Sequence, residues 1–75
     1  MIKTNVNVEC SYLEAGVEVP RVIIWNDGRK WNIDRVTHSC SSKYGEYEGI
    51  RYTVIIGNAE RYLYKYGSQW YVNSC

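Results

Sequence analysis

Apolar and polar residues alternate along most of the chain. Val6, Val8 and Cys10 are separated by Asn7 and Glu9, with Asn5 before them. A period of two sends the apolar side chains to one face of a strand and the polar ones to the other. Val17–Trp25 predicts a second strand, in which Pro20 has no amide donor and belongs at an edge or a bulge. A third strand is predicted from Arg29 to about Cys40, a fourth over Ile50–Ile56 and a last over Trp70–Val72. The fifth, Arg61–Tyr66, alternates Tyr62, Tyr64 and Tyr66 with Arg61, Leu63 and Lys65. Leu13–Gly16, Gly57-Asn58 and Gly67-Ser68 read as turns, and the polar Ser41–Gly49 stretch as an irregular loop. No window sets apolar residues at helical spacing over the length a stable helix needs. About six short strands joined by turns predict a single all-β domain, a small antiparallel barrel or roll most economically closed as an SH3-like barrel.

Asp27-Gly28 between two apolar runs is the strongest local signal, since glycine takes the positive φ a tight hairpin needs. A loop of two residues pairs Ile24 with Trp31; a loop of three with a glycine bulge pairs Ile23 with Trp31 and sets Trp25 on the same face. A slip of one residue exchanges the faces, and the second register is preferred. Val22-Ile23-Ile24-Trp25 and Val54-Ile55-Ile56 are continuous, so both faces of those strands are apolar. A small barrel without helices covers only one face. The surplus face, around Ile23 or Ile24 and Ile55, is therefore expected to pack against a second copy or a partner.

Composition bounds the rest. A chain of 75 residues buries a modest core, and with Phe absent, Tyr and Trp must supply its large rings. Nine basic and eight acidic residues nearly cancel, which removes the broad positive field of a non-specific nucleic-acid binder. No basic amphipathic stretch or long apolar run points to a membrane. Met1–Asn5 has no apolar region of a secretory signal, and the cysteines, Cys10, Cys40 and Cys75, are odd in number. Reduced thiols and a cytoplasmic location are expected, with Cys10 on a buried strand position, Cys40 near a loop and Cys75 at a frayed end.

Candidate chemistry is sparse. His38 and Cys40 share a strand face, with Cys10 as a third ligand, but structural zinc sites use paired spacings and four ligands, so no metal is assigned. His38 is the lone histidine, so Cys40–His38 and Ser39–His38 are the conventional nucleophile–base options; Ser39, next to His38 on a strand, points to the opposite face, and a barrel this small has little room for a substrate cleft. Glu46 and Glu48 share one loop that gives no rigid placement for acid–base work. No catalytic residue and no cofactor is assigned, and enzyme activity is not expected.

The string Pro20-x-x-Ile23-x-Trp25-x-Asp27-Gly28-Arg29-x-Trp31-x-Ile33-Asp34-Arg35-Val36 resembles a family of short, uncharacterised bacterial proteins. Gly49-Ile50-Arg51-Tyr52-Thr53-Val54-x-Ile56-Gly57, Tyr62-Leu63-Tyr64 and Trp70-Tyr71-Val72 continue the pattern. The resemblance implies a stand-alone small β-barrel, and its motifs are turn glycines and core aromatics. His38, Ser39 and the thiols lie outside it. The aromatic and cationic residues carry the functional expectation. Tyr62, Tyr64, Tyr66, Arg51, Arg61 and the Ser41–Gly49 loop are expected to form the contact surface of a non-enzymatic binding or interaction module. A protein or peptide partner, or a second copy, is favoured by the neutral charge; single-stranded nucleic acid on the Tyr/Arg surface is the alternative.

Overall fold

A computed structural model describes the backbone of residues 2–74, and all their side chains except those of Ile2, Tyr44, Tyr47 and Ser74. Among the described residues the chain forms seven strands and no helix: β1 (Ile2–Tyr12), β2 (Glu18–Ile24), β3 (Lys30–Asn32), β4 (Arg35–Tyr44), β5 (Tyr47–Ile56), β6 (Ala59–Tyr66) and β7 (Gln69–Ser74). They make one antiparallel sheet in the order β3-β2-β1-β7-β6-β5-β4. Every strand lies beside its neighbour in sequence, except that the first and last strands pair with each other and β3 does not pair with β4. The sheet curls into a small barrel or roll, and β3 and β4 are consecutive pieces of the strand predicted as one.

The junction between those pieces closes the curl. Ile33 donates its backbone N–H to the Arg21 carbonyl of β2, and Asp34 donates its own to the Ile55 carbonyl of β5, each at 2.8 Å. Adjacent residues thus bond the two far sides of the sheet. The Asp34 side chain adds a bond at 2.8 Å from the Gly57 amide, which fixes the β5–β6 turn to the same point.

Two bulges set which residues face inward. Glu9 pairs with Val22 but Cys10 with Pro20, leaving Arg21 as the extra residue. Proline cannot complete a ladder there, and the bulge lets both Pro20 and Ile23 point into the barrel. On β4 the extra residue is Thr37, between the pairs Val36–Val54 and His38–Thr53. The central hairpin takes the three-residue loop, with Ile23 opposite Trp31 and the Trp25 amide bonded to the Arg29 carbonyl.

This register corrects one expectation. Ile23 is fully buried in the core, so it has no part in an outer apolar face. Ile24 and Ile55 do point outward, and each is half-buried. The continuous apolar runs therefore fill both faces, but the fully buried members, Ile23 and Val54, are the inward ones.

The Ser41–Gly49 stretch is the second correction. β4 runs to Tyr44, the turn is Gly45-Glu46, and β5 begins at Tyr47. Gly45 has φ 61°, as the first central position of a two-residue hairpin of type II′ demands. The polar residues that read as a loop, Ser41, Ser42 and Lys43, are strand residues paired with β5. Cys40 consequently lies in the middle of a strand and not near a loop.

The core comprises Val6, Ile23, Ile33, Tyr52, Val54, Leu63, Trp70 and Val72, with Val8, Cys10, Trp25, Trp31, Val36 and Ile56 packed against it. Cutting Ile23, Val54 or Leu63 back to Ala would cost about 2–5 kcal/mol each, from lost transfer energy and the cavity left behind. Trp25 and Trp31 meet edge to face at 4.8 Å and cover one end of the interior.

Gly49 marks the closest backbone approach. A Cβ there would lie 2.0 Å from the Lys65 carbonyl oxygen and 2.6 Å from the Tyr66 ring. Backbone oxygen cannot retreat without breaking the β5–β6 ladder. Gly49→Ala is expected to destabilise the fold by about 3 kcal/mol, as overpacking does. Denaturant unfolding checks this, and a loss below the size of an ordinary surface substitution would contradict it.

Candidate interaction surface

The outward face of β4–β7 collects the residues expected to bind. Cross-strand pairing aligns Asn5, Tyr71, Tyr64, Arg51 and Cys40 in one row over five strands. Beside it, Gln69, Tyr66, Gly49 and Ser42 form a second row, and Tyr62, Thr53 and His38 begin a third. Directly opposite residues on a sheet share a face and touch, so the rows bring together side chains far apart in sequence.

The tyrosines of this face pack on one another. Tyr64 and Tyr66 stack at 6.1 Å with planes 11° apart, and Tyr71 leans on Tyr66 at 6.1 Å. Cations cover them: the Lys3 ammonium lies 4.8 Å from the Tyr64 centroid, and the Arg51 guanidinium 4.6 Å from that of Tyr62. Asn73 donates to the Tyr64 hydroxyl at 3.0 Å, and the Tyr66 hydroxyl and Ser42 Oγ share a hydrogen bond of 3.0 Å. Glycine leaves room for the Tyr66 ring to lie over Gly49. The outcome is uneven exposure, with Tyr62 at 38% but Tyr64 and Tyr66 at only 7% and 6%.

Arg61 is not part of this surface. It alternates with Tyr62, lies on the Leu63 face, and sets its guanidinium 5.7 Å from the Trp31 centroid at the tryptophan end of the barrel. Of the expected binding residues, the fold therefore unites Tyr62, Tyr64, Tyr66 and Arg51, joined by Ser42 from the expected loop, and sends Arg61 elsewhere. The alternation in β6 carried that separation, because residues of odd and even number there face apart.

The thiols and the histidine are also divided. His38 and Cys40 pair with Thr53 and Arg51 on the outer face, whereas Cys10 packs against the core. Among the described residues no group of three or more His, Cys, Asp and Glu is placed to hold a metal ion. Cys75 lies outside the described residues.

Sequence reasoning passed over the mouth of the barrel opposite the tryptophans. Lys65, inward on β6, bonds Glu18 at the start of β2 at 2.5 Å. β2 and β6 are not neighbours in the sheet, so this pair spans the opening. The Lys65 ammonium also lies 5.2 Å from the Trp70 centroid. Around the pair stand half-buried Cys10, buried Tyr52 and exposed Ile50, while Tyr12, 68% exposed, leads to Leu13 and Val17 at the hairpin tip. The signal in the chain was a charged residue, Lys65, at an inward position of an alternating strand.

Cys10, Tyr12, Tyr52 and Lys65 at the mouth hold their protons longer than usual. Burial pushes up the Cys10 thiol, with Glu18 adding to it and Lys65 opposing. Burial likewise raises Tyr52, with a contribution from Glu18. The hydrogen bond to Glu18 raises Lys65 against its desolvation, and the same carboxylate raises exposed Tyr12. In each case the folded state binds the proton more tightly than the unfolded chain. Their contributions are thus complete below the ordinary values and lost as pH rises through the folded ones. Thermal stability is expected to fall from about pH 9 upward, starting at the ordinary thiol value of 9.0. Cys10→Ser should remove the earliest part of that decline in melts recorded across alkaline pH, and an unchanged profile would count against it. Compared with known proteins, the chain matches no family model, no curated protein and no solved structure.

Proposed function

We propose that this chain is a non-enzymatic small-barrel interaction module of the cytoplasm that holds a protein or peptide partner on the outer face of β4–β7. The observation that carries the reading is the aligned row Asn5, Tyr71, Tyr64, Arg51 and Cys40, flanked by Tyr62, Lys3 and Gln69. It combines tyrosine, arginine and amides on a sheet face, and no carboxylate stands in the row. Tyrosine and arginine give large contact area with directional hydrogen bonds and recur where interfaces concentrate their energy. Stacking and cation contacts already fix the rings, so binding orders few side chains. Among the described residues no helix is long and apolar enough to cross a membrane.

Single-stranded nucleic acid remains the second reading, favoured by the Arg51–Tyr62 pair, the one exposed ring of the stripe beside a cation. Covered Tyr64 and Tyr66 weigh against it, because a base stacks on an open ring face.

A photoreactive phenylalanine analogue in place of Tyr62 tests the reading in cells, with the same group in place of Leu13 as the comparison. A discrete protein adduct from position 62, weakened several-fold by Arg51→Glu and absent from position 13, is expected. No adduct from position 62, or one indifferent to Arg51→Glu, would overturn it. Anisotropy of a labelled oligothymidine or oligouridine tests the alternative, since a phosphate-driven complex weakens steeply as salt rises.

A further inference from the structure

The two strands that flank the open side of the curl have very different edges. From the junction at Ile33–Asp34, β2 and β4 each run toward the mouth, and neither has a strand between it and the other. On β2 the open edge is Glu18–Arg21, which holds a proline, a bulge and two charged residues, the usual devices against edge pairing. On β4 the register with β5 is unbroken from His38 to Tyr44, without proline or bulge, and the stretch His38–Ser42 carries no charged residue when the histidine is neutral. β4 pairs only with β5, and none of its backbone groups bonds elsewhere among the described residues. A regular, uncharged edge of this length is a template for another strand.

We infer that β4 pairs antiparallel with β4 of a second copy, joining two barrels through one continuous sheet. Antiparallel pairing about a two-fold axis is self-complementary, because each edge offers its copy the same donors and acceptors. Charge selects the register. The unbroken stretch His38–Ser42, bounded by the bulge at Thr37 and by Lys43, is uncharged and has Cys40 at its centre. Pairing centred on Cys40 therefore sets uncharged residues opposite one another along the whole stretch. It places Cys40 opposite its own counterpart, Ser39 opposite Ser41 and His38 opposite Ser42. The row Tyr71, Tyr64, Arg51 and Cys40 then continues into the same row of the second copy, so the outer faces merge. This surface is an edge and is independent of the face assigned above.

Ser39 and Ser41 are exposed, which makes a charge exchange possible without disturbing the core. Sedimentation equilibrium of the full chain from micromolar to sub-millimolar concentration should show a dimer. Ser39→Lys with Ser41→Lys sets Lys against Lys twice and should raise the dissociation constant roughly tenfold or more. Ser39→Lys with Ser41→Glu sets opposite charges across the axis and should restore the dimer. Circular dichroism melts confirm that both variants fold. Oxidation of a Cys75→Ser variant by copper phenanthroline, with oxygen as the electron acceptor, should yield a disulfide mapped to Cys40 in both chains. On the unaltered chain, β4 amides should exchange more slowly at high concentration than at low. A monomer throughout the range, a dimer indifferent to the double lysine variant, or concentration-independent β4 exchange would overturn the inference. Adducts from position 62 report on the outer face separately, so either surface can fail without the other.

Discussion

One kinked strand holds this barrel together. A curled sheet gains little unless its far sides meet, and here they meet at Ile33 and Asp34, whose amides bond β2 and β5 in turn. Asp34 also accepts from Gly57, so the same residue that turns the strand anchors the next hairpin. Everything inward depends on this. With the junction in place, Ile23, Val54, Leu63 and Val72 face one another across a shared interior and lose almost all contact with water. Without it, the strands would form an open meander with one face wet.

Because phenylalanine is absent, tryptophan and tyrosine supply the large rings at both ends of the interior. Trp25 and Trp31 cover one end of the interior, with the Arg29 and Arg61 guanidiniums over them. At the other end, the Glu18–Lys65 pair spans the opening above Tyr52 and Trp70. Both ions of that pair are only partly buried, so it acts chiefly as a clasp between strands that are not neighbours in the sheet, with modest net energy of its own. Cys10, Tyr12, Tyr52 and Lys65 beside it hold their protons tightly, so the mouth loses stability as pH rises into the alkaline range.

A second aromatic layer lies outside the barrel, where tyrosines stack on the sheet under lysine and arginine. Burial of Tyr64 and Tyr66 shows that this layer already serves the wall of the barrel, and at its margin Tyr62 is exposed beside half-buried Arg51. Binding and packing are therefore not competing accounts of these rings. Packing fixes their geometry, and the fixed surface is what a partner would meet.

The alternation of residues determined the all-β class, the strands and most of their positions, because a period of two has one stable arrangement when an apolar face must be buried. Asp27-Gly28 likewise marked the hairpin, through the backbone conformation that glycine permits, but left two registers open, and the pairing of Ile23 with Trp31 decided between them. Other features have no local signature. The break at Ile33–Asp34 arises where one strand must bond two sides of a closing sheet. The inward place of Ile23 follows from a bulge at Pro20, and the strand character of Ser41–Tyr44 comes from pairing with β5, which overrides weak local preference. The candidate surface divides the same way. Tyr62, Tyr64 and Tyr66 were legible as one stripe, but their joining to Arg51, Lys3 and Tyr71, and their separation from Arg61, were decided by cross-strand register. A chain encodes which side of a strand each residue takes; which strands stand beside it is settled only when the whole sheet closes.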